Sequence, residues 1–235
     1  MSRRCIGLGI GAATCAWLAP APAPHFPALA RLLGISRRLP EPNGVALTFD
    51  DGPDPRTTPA VLDLLAGAKA TATFFLVGEQ VERHGDLAAE IAAAGHEIGL
   101  HGYRHLPTPL RTPSSLDADL DRAEEVIAAA TGRKPVLYRP PFGVFSSAAL
   151  LNIRRRGWKP LLWSRWGREW ERGATAERVA RRASGSLIAG DIVLLHDASY
   201  YGVSGFAGVA AAALPAILSA IAERELTPVG VSLPA

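Results

Sequence analysis

Two adjacent carboxylates, Asp50 and Asp51, end a short apolar segment and are followed by Gly-Pro. Adjacent carboxylates repel each other, and on a β-strand they point to opposite sides of the sheet. This arrangement favours two different tasks, with one carboxylate bound to a cation and the other left free. A structural Asp-Gly-Pro turn is the alternative, because the same residue types are common in turns.

A pair of histidines, His101 and His105, lies in the segment HGYRH. On a helical turn this four-residue spacing brings both imidazoles to one side, where they can bind a single metal ion. Two histidines and one carboxylate form the ligand set of a catalytic zinc site, which keeps a position open for water. A polar surface pair is the alternative, and the complete ligand set argues against it.

Two further segments carry polar groups that suit a hydrolase, RPPFG at 139–143 and LLHD at 194–197. Two prolines stiffen the first segment, where Arg139 can pair with a carboxylate and the Phe142 N–H can point into a cleft. The second segment places His196 at the end of another predicted strand. A rigid connector and an incidental histidine are the alternatives when each segment is considered alone.

Strand-like and helix-like segments alternate from residue 45 onward and would position these groups. The predicted strands are short and rich in β-branched, aliphatic and aromatic residues, and they lie at 45–49, 71–77, 96–100, 136–138, 158–163, 191–195 and 227–232. The predicted helices between them lie at 57–68, 79–94, 114–131, 146–157, 175–189 and 206–222. Such alternation is typical of parallel strands joined by right-handed crossovers.

Two α/β architectures fit this order, an open doubly wound sheet and a closed barrel. The dinucleotide-binding form of the open sheet needs a glycine-rich turn after its first strand, and none follows residues 45–49. The candidate residues instead follow four different strands, as in barrel enzymes, whose active sites lie at the carboxyl ends of the strands. The sequence therefore predicts a barrel with its site on one rim.

Length and charge exclude some classes of function. The 235 residues are sufficient for one domain with a full core. The net charge is +3, of which residues 1–44 contribute +4 through five arginines and one glutamate, which leaves −1 for the remainder. A domain near neutrality is expected to have no broad basic face, so nucleic acid is not expected as a partner. Both cysteines, Cys5 and Cys15, precede the domain, so cysteine-ligated metal is excluded there.

Residues 1–42 are predicted to be a signal-like or anchor-like leader followed by a proline-rich linker, with the catalytic domain at 43–235. Residues 1–4 are basic, and residues 5–19 are uncharged and mostly small or apolar, as in a signal peptide. We therefore expect an exported or cell-envelope protein that contacts membrane only through this segment. A cytoplasmic protein with an apolar arm is the alternative.

The ordered segments TFDDG, HGYRH, RPPFG and LLH resemble the motifs of the polysaccharide deacetylases, which form carbohydrate esterase family 4. The catalytic domain of this family is named after the NodB chitooligosaccharide deacetylase, and the likeness covers roughly residues 43–235. Membership implies a distorted (β/α)7 TIM-like barrel, which agrees with the strands counted independently. It also implies a metal-dependent hydrolase that acts on an acetylated polysaccharide.

The resemblance assigns a role to each matching position. Asp51, His101 and His105 would hold a divalent cation, usually zinc, with cobalt or another divalent ion as the alternative. Asp50 would be the general base, and His196 would be the general acid that protonates the leaving amine.

The resemblance also assigns residues around these groups. Arg139 would orient the general base, and the Phe142 N–H would stabilise the oxyanion. Pro140 and Leu194 of the same segments are expected to contact substrate beside them.

The fourth family motif differs in this chain. It usually carries an aspartate before a tryptophan in the loop after the fifth strand, whereas the segment here is WSRWGREW at 163–170. Glu169 takes the place of that aspartate, one methylene longer, in the position that tunes the catalytic groups. Trp166 and Trp170 are candidates to stack on sugar rings, and packing at the rim is the alternative.

Three functions remain open at this point. The first is removal of N-acetyl groups from an amino-sugar polymer such as peptidoglycan or a chitin-like glycan. The second is hydrolysis of an O-acetyl ester on a polysaccharide such as xylan, which proceeds through the same tetrahedral intermediate. The third is a catalytically idle, carbohydrate-binding barrel. The sequence indicates no oligomeric state.

Overall fold

A computed structural model describes residues 17–41 and 44–232. Its strands are β1 (Val45–Asp50), β2 (Thr73–Leu76), β3 (Glu97–Leu100), β4 (Leu137–Tyr138), β5 (Lys159–Pro160), β6 (Arg165–Trp166), β7 (Ile192–His196) and β8 (Pro228–Val229). Its helices are α1 (Pro27–Leu32), α2 (Thr58–Gly67), α3 (Gly78–Arg83), α4 (Gly85–Ala93), α5 (Pro113–Thr131), α6 (Ser147–Arg155), α7 (Ala176–Ser184) and α8 (Phe206–Ala222).

The strands form one parallel sheet in the order β5-β4-β3-β2-β1-β7-β6, and β8 pairs with the start of β1. This sheet of seven strands is a half-barrel with helices on its outside. Within the described residues no backbone pairing joins β5 to β6, so a seam runs down that side. The predicted α/β fold is therefore confirmed in its distorted form.

The seven predicted strands and the seven strands of the half-barrel are not the same set. β6 was not predicted, because its two residues lie between Ser164 and Gly167 and give no apolar run. The segment predicted at 227–232 contains β8, which pairs with β1 outside the main strand order. The agreement in number therefore hides one missed strand.

Apart from α1, which lies in the predicted linker, the helices follow the predicted segments with two differences. The segment predicted at 79–94 is interrupted at His84, whose φ of −136° and ψ of 48° are not helical, so it forms α3 and α4. The segment predicted at 175–189 is shorter than expected, because α7 ends at Ser184 before Gly185. The long helix α8 has the predicted bounds and contains Pro215.

The central strand β1 is buried over all six residues. The parallel strands β2 and β7 cover the two edges of β1, and its side chains are buried on both faces, which explains its nearly continuous apolar sequence. Thr48, the one polar side chain of this strand before the terminal Asp50, donates its hydroxyl hydrogen to the Val193 carbonyl at 2.7 Å. The core therefore fixes the position of Asp50 at the end of the strand.

Residues 17–41 pack against the half-barrel, although their composition predicts a linker. Ala30 and Ile35 are buried in the hydrophobic core. The Ser36 N–H donates to the Pro160 carbonyl at 3.0 Å, which places this segment along the seam beside β5. The linker prediction therefore describes the composition of these residues but not their packing.

The predicted leader lies largely outside the described residues, because residues 1–16 are not among them. Its role in export therefore stays a prediction. In the part of the chain that the structure describes, none of the helices has both the length and the apolar character needed to cross a membrane.

Candidate active site

The carboxyl ends of the strands meet at one rim, where the sequence predicts the reactive groups. Asp50 of β1 is in register with His196 of β7 and with Phe75 of β2. Because parallel strands in register end at the same level, Asp50 and His196 both line one cleft of about 400 Å³. The residues predicted from four separate strand ends therefore surround a common space.

The backbone turns sharply between the two aspartates. Asp51 has a φ of 79°, in the left-handed region that aspartate adopts more often than most residues. Both carboxylates line the cleft, so the prediction that they point to opposite sides of a strand is wrong. The reason is that the strand ends at Asp50, and its alternation of side chains ends with it.

Asp51, His101 and His105 come together at this rim. Asp51 Oδ1 lies 3.5 Å from His101 Nε2 and 3.2 Å from His105 Nε2. One ligand atom from each of the three residues lies within 4.8 Å of the others. The spacing of the two histidines predicts that they share a helical turn, and this prediction is wrong. Residues 101–105 form an irregular loop in which Gly102 has a φ of 93°.

A buried carboxylate on α5 anchors this loop. Asp119 accepts a hydrogen bond from the Tyr103 N–H at 2.8 Å and forms an ion pair with Arg111 at 2.7 Å. The contact lies between the two histidines in the chain and fixes the loop that carries them. Sequence reasoning missed Asp119, because it stands among other acidic residues of an amphipathic helix.

The chemistry of these three side chains fits a divalent cation. The carbonyl of Arg139 lies 2.8 Å from His101 Nδ1, which therefore carries the proton and leaves the Nε2 lone pair directed at Asp51. Asp51 Oδ1 is buried and has no hydrogen-bond donor. Burial raises the pKa of Asp51 to about 7 and lowers the pKa of His105 to about 2. Two neutral imidazoles and an unpaired carboxylate oxygen are the donors that zinc prefers.

We expect zinc to stabilise the protein more at about pH 8 than at about pH 5.5, because a cation must displace the proton of Asp51 below pH 7. The folded pKa of Asp51 lies above its ordinary value, so ionisation of Asp51 destabilises the cation-free protein as the pH rises towards 7. The measurement is the zinc-dependent shift in Tm at both pH values. A zinc-dependent shift in Tm that is the same at the two pH values, and the same in wild type as in Asp51→Asn, would contradict this assignment.

Arg139 fixes the second aspartate. It is fully buried, and its Nη1 donates to Asp50 Oδ1 at 2.6 Å and to the Thr48 hydroxyl at 2.9 Å. Its guanidinium carbon lies 4.2 Å from the ring centroid of Phe75, which packs against one face of the group. The other oxygen, Asp50 Oδ2, faces the candidate metal ligands, 3.8 Å from His101 Nε2.

Glu169 lies directly behind His196. The Nδ1 of His196 is 2.8 Å from Glu169 Oε1, and the glutamate is buried. Burial of the imidazole opposes its charge, but the hydrogen bond and negative charge of Glu169 raise the pKa of His196 to about 9. Trp170 and Phe206 contact the ring edge to face. The contact partner of His196 is therefore the residue that the fourth motif singled out.

The turn after Arg139 contains Phe142, whose N–H the family resemblance assigns to the oxyanion. The Gly143 N–H donates to the Pro140 carbonyl at 2.9 Å and so closes a turn that has Phe142 within it. Phe142 has a φ of 59° and lines the cleft. Pro140 is buried and is not among the residues that line the cleft, so it shapes the turn instead of contacting substrate as predicted.

The wall of the cleft is mainly aromatic. Leu194, Trp166 and Trp170 line it, as expected for substrate contact, whereas Glu169 lies behind His196. The cleft also has lining residues that sequence reasoning missed, namely Trp163, Tyr201, Val203 and Phe206. An aromatic wall beside a polar centre suits a sugar ring, whose C–H face packs on an aromatic plane while its hydroxyls remain hydrogen bonded.

Tyr201 packs against one of the two histidines that could hold a metal ion. Its ring stacks on His105 with the centroids 4.2 Å apart and the planes inclined by 12°. Its hydroxyl donates to Glu79 at 2.6 Å and accepts from the Gln80 amide at 2.7 Å. No motif marks this residue, although its place five positions after His196 puts it at the same rim.

The comparisons with known proteins agree on one family. Residues 38–161 match the family model described as polysaccharide deacetylase. A peptidoglycan-N-acetylglucosamine deacetylase from Bacillus cereus is 38% identical over 156 residues, which are 65% of this chain and 72% of that protein. A chitooligosaccharide deacetylase from Azorhizobium caulinodans is 29% identical over 201 residues, which are 82% of this chain and 95% of that protein.

Solved structures share the fold. A peptidoglycan N-acetylglucosamine deacetylase matches with a TM-score of 0.79 at 27% identity, over 86% of this chain and 93% of that chain. A pseudoenzyme of carbohydrate esterase family 4 from Bacillus anthracis matches with a TM-score of 0.74 at 23% identity, over 83% of this chain and 66% of that chain. Because a pseudoenzyme also has this fold, catalytic capacity depends on the site residues and not on the fold.

Proposed function

This chain belongs to the polysaccharide deacetylase family, and we propose that it removes N-acetyl groups from an amino-sugar glycan, peptidoglycan or a chitin-like oligosaccharide, with the help of one divalent cation. The observation that carries the proposal is the convergence of Asp51, His101 and His105, with Asp50 and His196 lining the same cleft. The two kinds of relative described above, peptidoglycan and chitooligosaccharide deacetylases, are named for this kind of reaction.

The cation would be held by the three ligands described above, and zinc fits their donor set best. When bound, it supplies Lewis acidity to the water nucleophile and to the acyl oxygen. Asp50 Oδ2, which faces this centre, takes the proton of the attacking water. Arg139 keeps that carboxylate in one orientation by binding its other oxygen. Positioned general bases of this kind contribute about 10²–10⁴-fold to the rate.

The leaving group of an amide needs a proton, because an amine anion is a poor leaving group. His196 is suited to give it, since Glu169 holds the Nδ1 proton and leaves Nε2 for the substrate nitrogen. A pKa of about 9 keeps this imidazole protonated at neutral pH. His196 therefore acts as general acid, and Glu169 as the group that keeps it charged.

The tetrahedral intermediate carries a negative charge on the former carbonyl oxygen. The Phe142 N–H, on the stiff turn at the cleft wall, is the donor that would bind this oxyanion. Loss of one such donor typically costs about 10²–10³-fold in rate. The aromatic wall would hold the sugar while the acetyl group lies over the reacting side chains.

The test is acetate release from an N-acetylglucosamine oligomer and from an O-acetylated xylan oligomer, each with zinc-loaded and with chelator-treated protein. The proposal predicts zinc-dependent release from the N-acetylated oligomer. Release from the ester alone would assign the protein as an O-acetyl esterase. Glycan binding that persists after chelation, without turnover under any divalent ion, would instead identify an idle carbohydrate-binding barrel.

The exported or cell-envelope location also belongs to this proposal. Peptidoglycan and related glycans lie outside the cytoplasmic membrane, and the basic and apolar character of residues 1–19 agrees with export. The mass of the mature protein in its native host is the measurement that checks it.

Glu169→Gln is expected to move the alkaline limb of the activity profile to lower pH by about one to two units, because the mutation removes the negative charge that holds the proton on His196. A general acid works below its pKa, so wild-type activity should fall as the pH rises through about 9. The measurement is kcat against pH for both proteins. Glu171→Gln, whose carboxylate pairs with Arg182 instead, is the matched control and should leave the limb in place.

A further inference from the structure

The seam of the half-barrel is an arginine-lined groove. β6 is an edge strand on this side, and the segment around α1 lies across from it. Two clefts follow the seam, one of about 540 Å³ and one of about 270 Å³, and they share Ser164 and Arg165 as lining residues. The arginines that line the two clefts are Arg31, Arg37, Arg38, Arg165, Arg168 and Arg182.

Only part of this positive charge is neutralised. Buried Asp191 pairs with two of these arginines, Arg38 at 2.5 Å and Arg165 at 3.2 Å. Glu171 pairs with two others, Arg168 and Arg182. Among the ion pairs of the described residues, those of the six arginines involve two carboxylates, Asp191 and Glu171, so positive charge predominates in the groove.

The total charge of the chain conceals this groove. Residues 44–131 carry 6 basic and 14 acidic side chains, whereas residues 132–185 carry 13 basic and 3 acidic ones. The second stretch contains β5, α6, β6 and α7, which flank the seam. The expectation of a domain without a basic face is therefore wrong on this side, because opposite charges of two regions cancel in the sum.

The groove begins at the wall of the catalytic cleft. Trp166 lines both that cleft and the smaller arginine-lined cleft. The guanidinium of Arg168 lies 4.7 Å from the centroid of the Trp166 ring, on the wall between the two spaces. A cleft of about 400 Å³ holds only a short piece of a glycan, so a longer polymer must continue along a neighbouring surface.

We propose that this groove binds carboxylate groups of an acidic N-acetylated glycan while an acetyl group lies in the catalytic cleft. The inference rests on the proposed function and names its substrate class. Planar guanidinium groups bind carboxylates through two parallel hydrogen bonds. A neutral chitin-like chain has no carboxylate to accept them. Peptidoglycan bears free carboxylates on its peptide substituents, or on the lactyl group where the peptide is absent, so the groove favours it over chitooligosaccharide.

An anionic membrane is the competing partner for a basic surface. Exposed apolar side chains lie near the groove, among them Phe26, Leu32 and Ile188, and basic and apolar side chains together also bind lipid headgroups. The arginines line two clefts, however, and the side chains of Arg165 and Arg182 are only 28% and 33% exposed, although Arg31 and Arg38 are exposed. A recessed lining suits a chain of sugars better than the flat surface of a bilayer.

The experiment compares kcat/KM on two substrates, a peptidoglycan fragment with free carboxylates and an N-acetylglucosamine tetramer of no net charge. Arg31→Gln and Arg182→Gln each remove one charge from a different cleft of the groove. Each should lower the ratio of acidic to neutral kcat/KM about tenfold, through KM, because a charge-assisted hydrogen bond is lost. Arg155→Gln, an exposed arginine of α6 that lines neither cleft, is the matched control and should keep the ratio.

A ratio that does not change in the two groove variants would overturn the proposal. Loss of binding to phosphatidylglycerol vesicles in these variants, with an unchanged ratio, would identify a membrane surface instead. Calorimetric titration of metal-free wild-type protein with the acidic fragment measures binding without turnover. It therefore separates a failure of the groove from a failure of the proposed hydrolysis, since binding that is equal in wild type and Arg31→Gln contradicts the groove alone.

Discussion

Asp50→Asn is expected to lower kcat/KM for an N-acetylated oligosaccharide by about a thousandfold, because an amide cannot take the proton of the attacking water. The substitution preserves the shape of the side chain and the acceptor oxygen that faces Arg139. It also leaves the three proposed metal ligands unchanged, so zinc content should stay at the wild-type value. Steady-state acetate release and metal analysis of the same samples give both quantities.

Asp51→Asn is the matched control for this substitution, because the two residues are adjacent and both line the cleft. We expect it to lose zinc together with activity, whereas Asp50→Asn loses only activity. If both variants lose the metal, Asp50 is a ligand as well as a base. If Asp50→Asn keeps wild-type activity, the general base is another group and the proposed mechanism is wrong.

Arg139→Met should destabilise the protein by about 3–5 kcal/mol, the usual effect of removing one partner of a buried ion pair. Asp50 would be left as an unpaired charge in a buried site, because its own side chain is only 3% exposed and that of Arg139 is not exposed at all. The Thr48 hydroxyl and the Leu162 carbonyl would lose a donor in the same substitution. Denaturant unfolding of wild type and variant measures the change in free energy.

A second substitution shows whether the unpaired charge is the cause. Adding Asp50→Asn to Arg139→Met removes that charge, so the double variant should recover part of the lost free energy of unfolding. Arg156→Gln, which breaks ion pairs with the exposed Asp117 and Asp121, is a surface control and should change stability by no more than about 1 kcal/mol. Additive losses in the double variant would show that Arg139 stabilises the core independently of Asp50.

The sequence was sufficient to predict the reacting groups because parallel strands bring their carboxyl ends together. Asp50 and His196 end short apolar segments whose strand character is strong, and their register places them side by side. The metal-donor atoms of Asp51, His101 and His105 follow from residue type alone, which can be read directly from the sequence. The prediction therefore succeeds wherever a side chain is positioned by the end of a regular, buried strand.

The remaining features depend on contacts between distant parts of the chain. The loop at 101–105 has no regular period, and its shape depends on the buried carboxylate of Asp119, so the spacing of its histidines predicted the wrong local structure. Tyr201 contacts Glu79, which is far away in sequence. The segment 17–41 has the composition of a linker, and only its fit against the seam gives it a fixed place.

The net charge of the chain conceals the basic groove. The arginines of the groove come from α1, β6, α7 and the loops beside them, and acidic residues elsewhere balance them in the total. A count of charges along the chain reveals the basic stretch at 132–185. Only the tertiary structure shows that part of this stretch lies beside the segment at 31–38. The acidic-glycan proposal therefore depends on tertiary structure.

The most direct test of the central claim is the metal content of the purified protein, measured together with acetate release, for wild type, Asp51→Asn, His101→Gln and His105→Gln. We expect about one zinc ion per chain in the wild type, with the metal and the activity lost together in each variant. Wild-type zinc content in all three variants would place the cation elsewhere and contradict the assignment of this site.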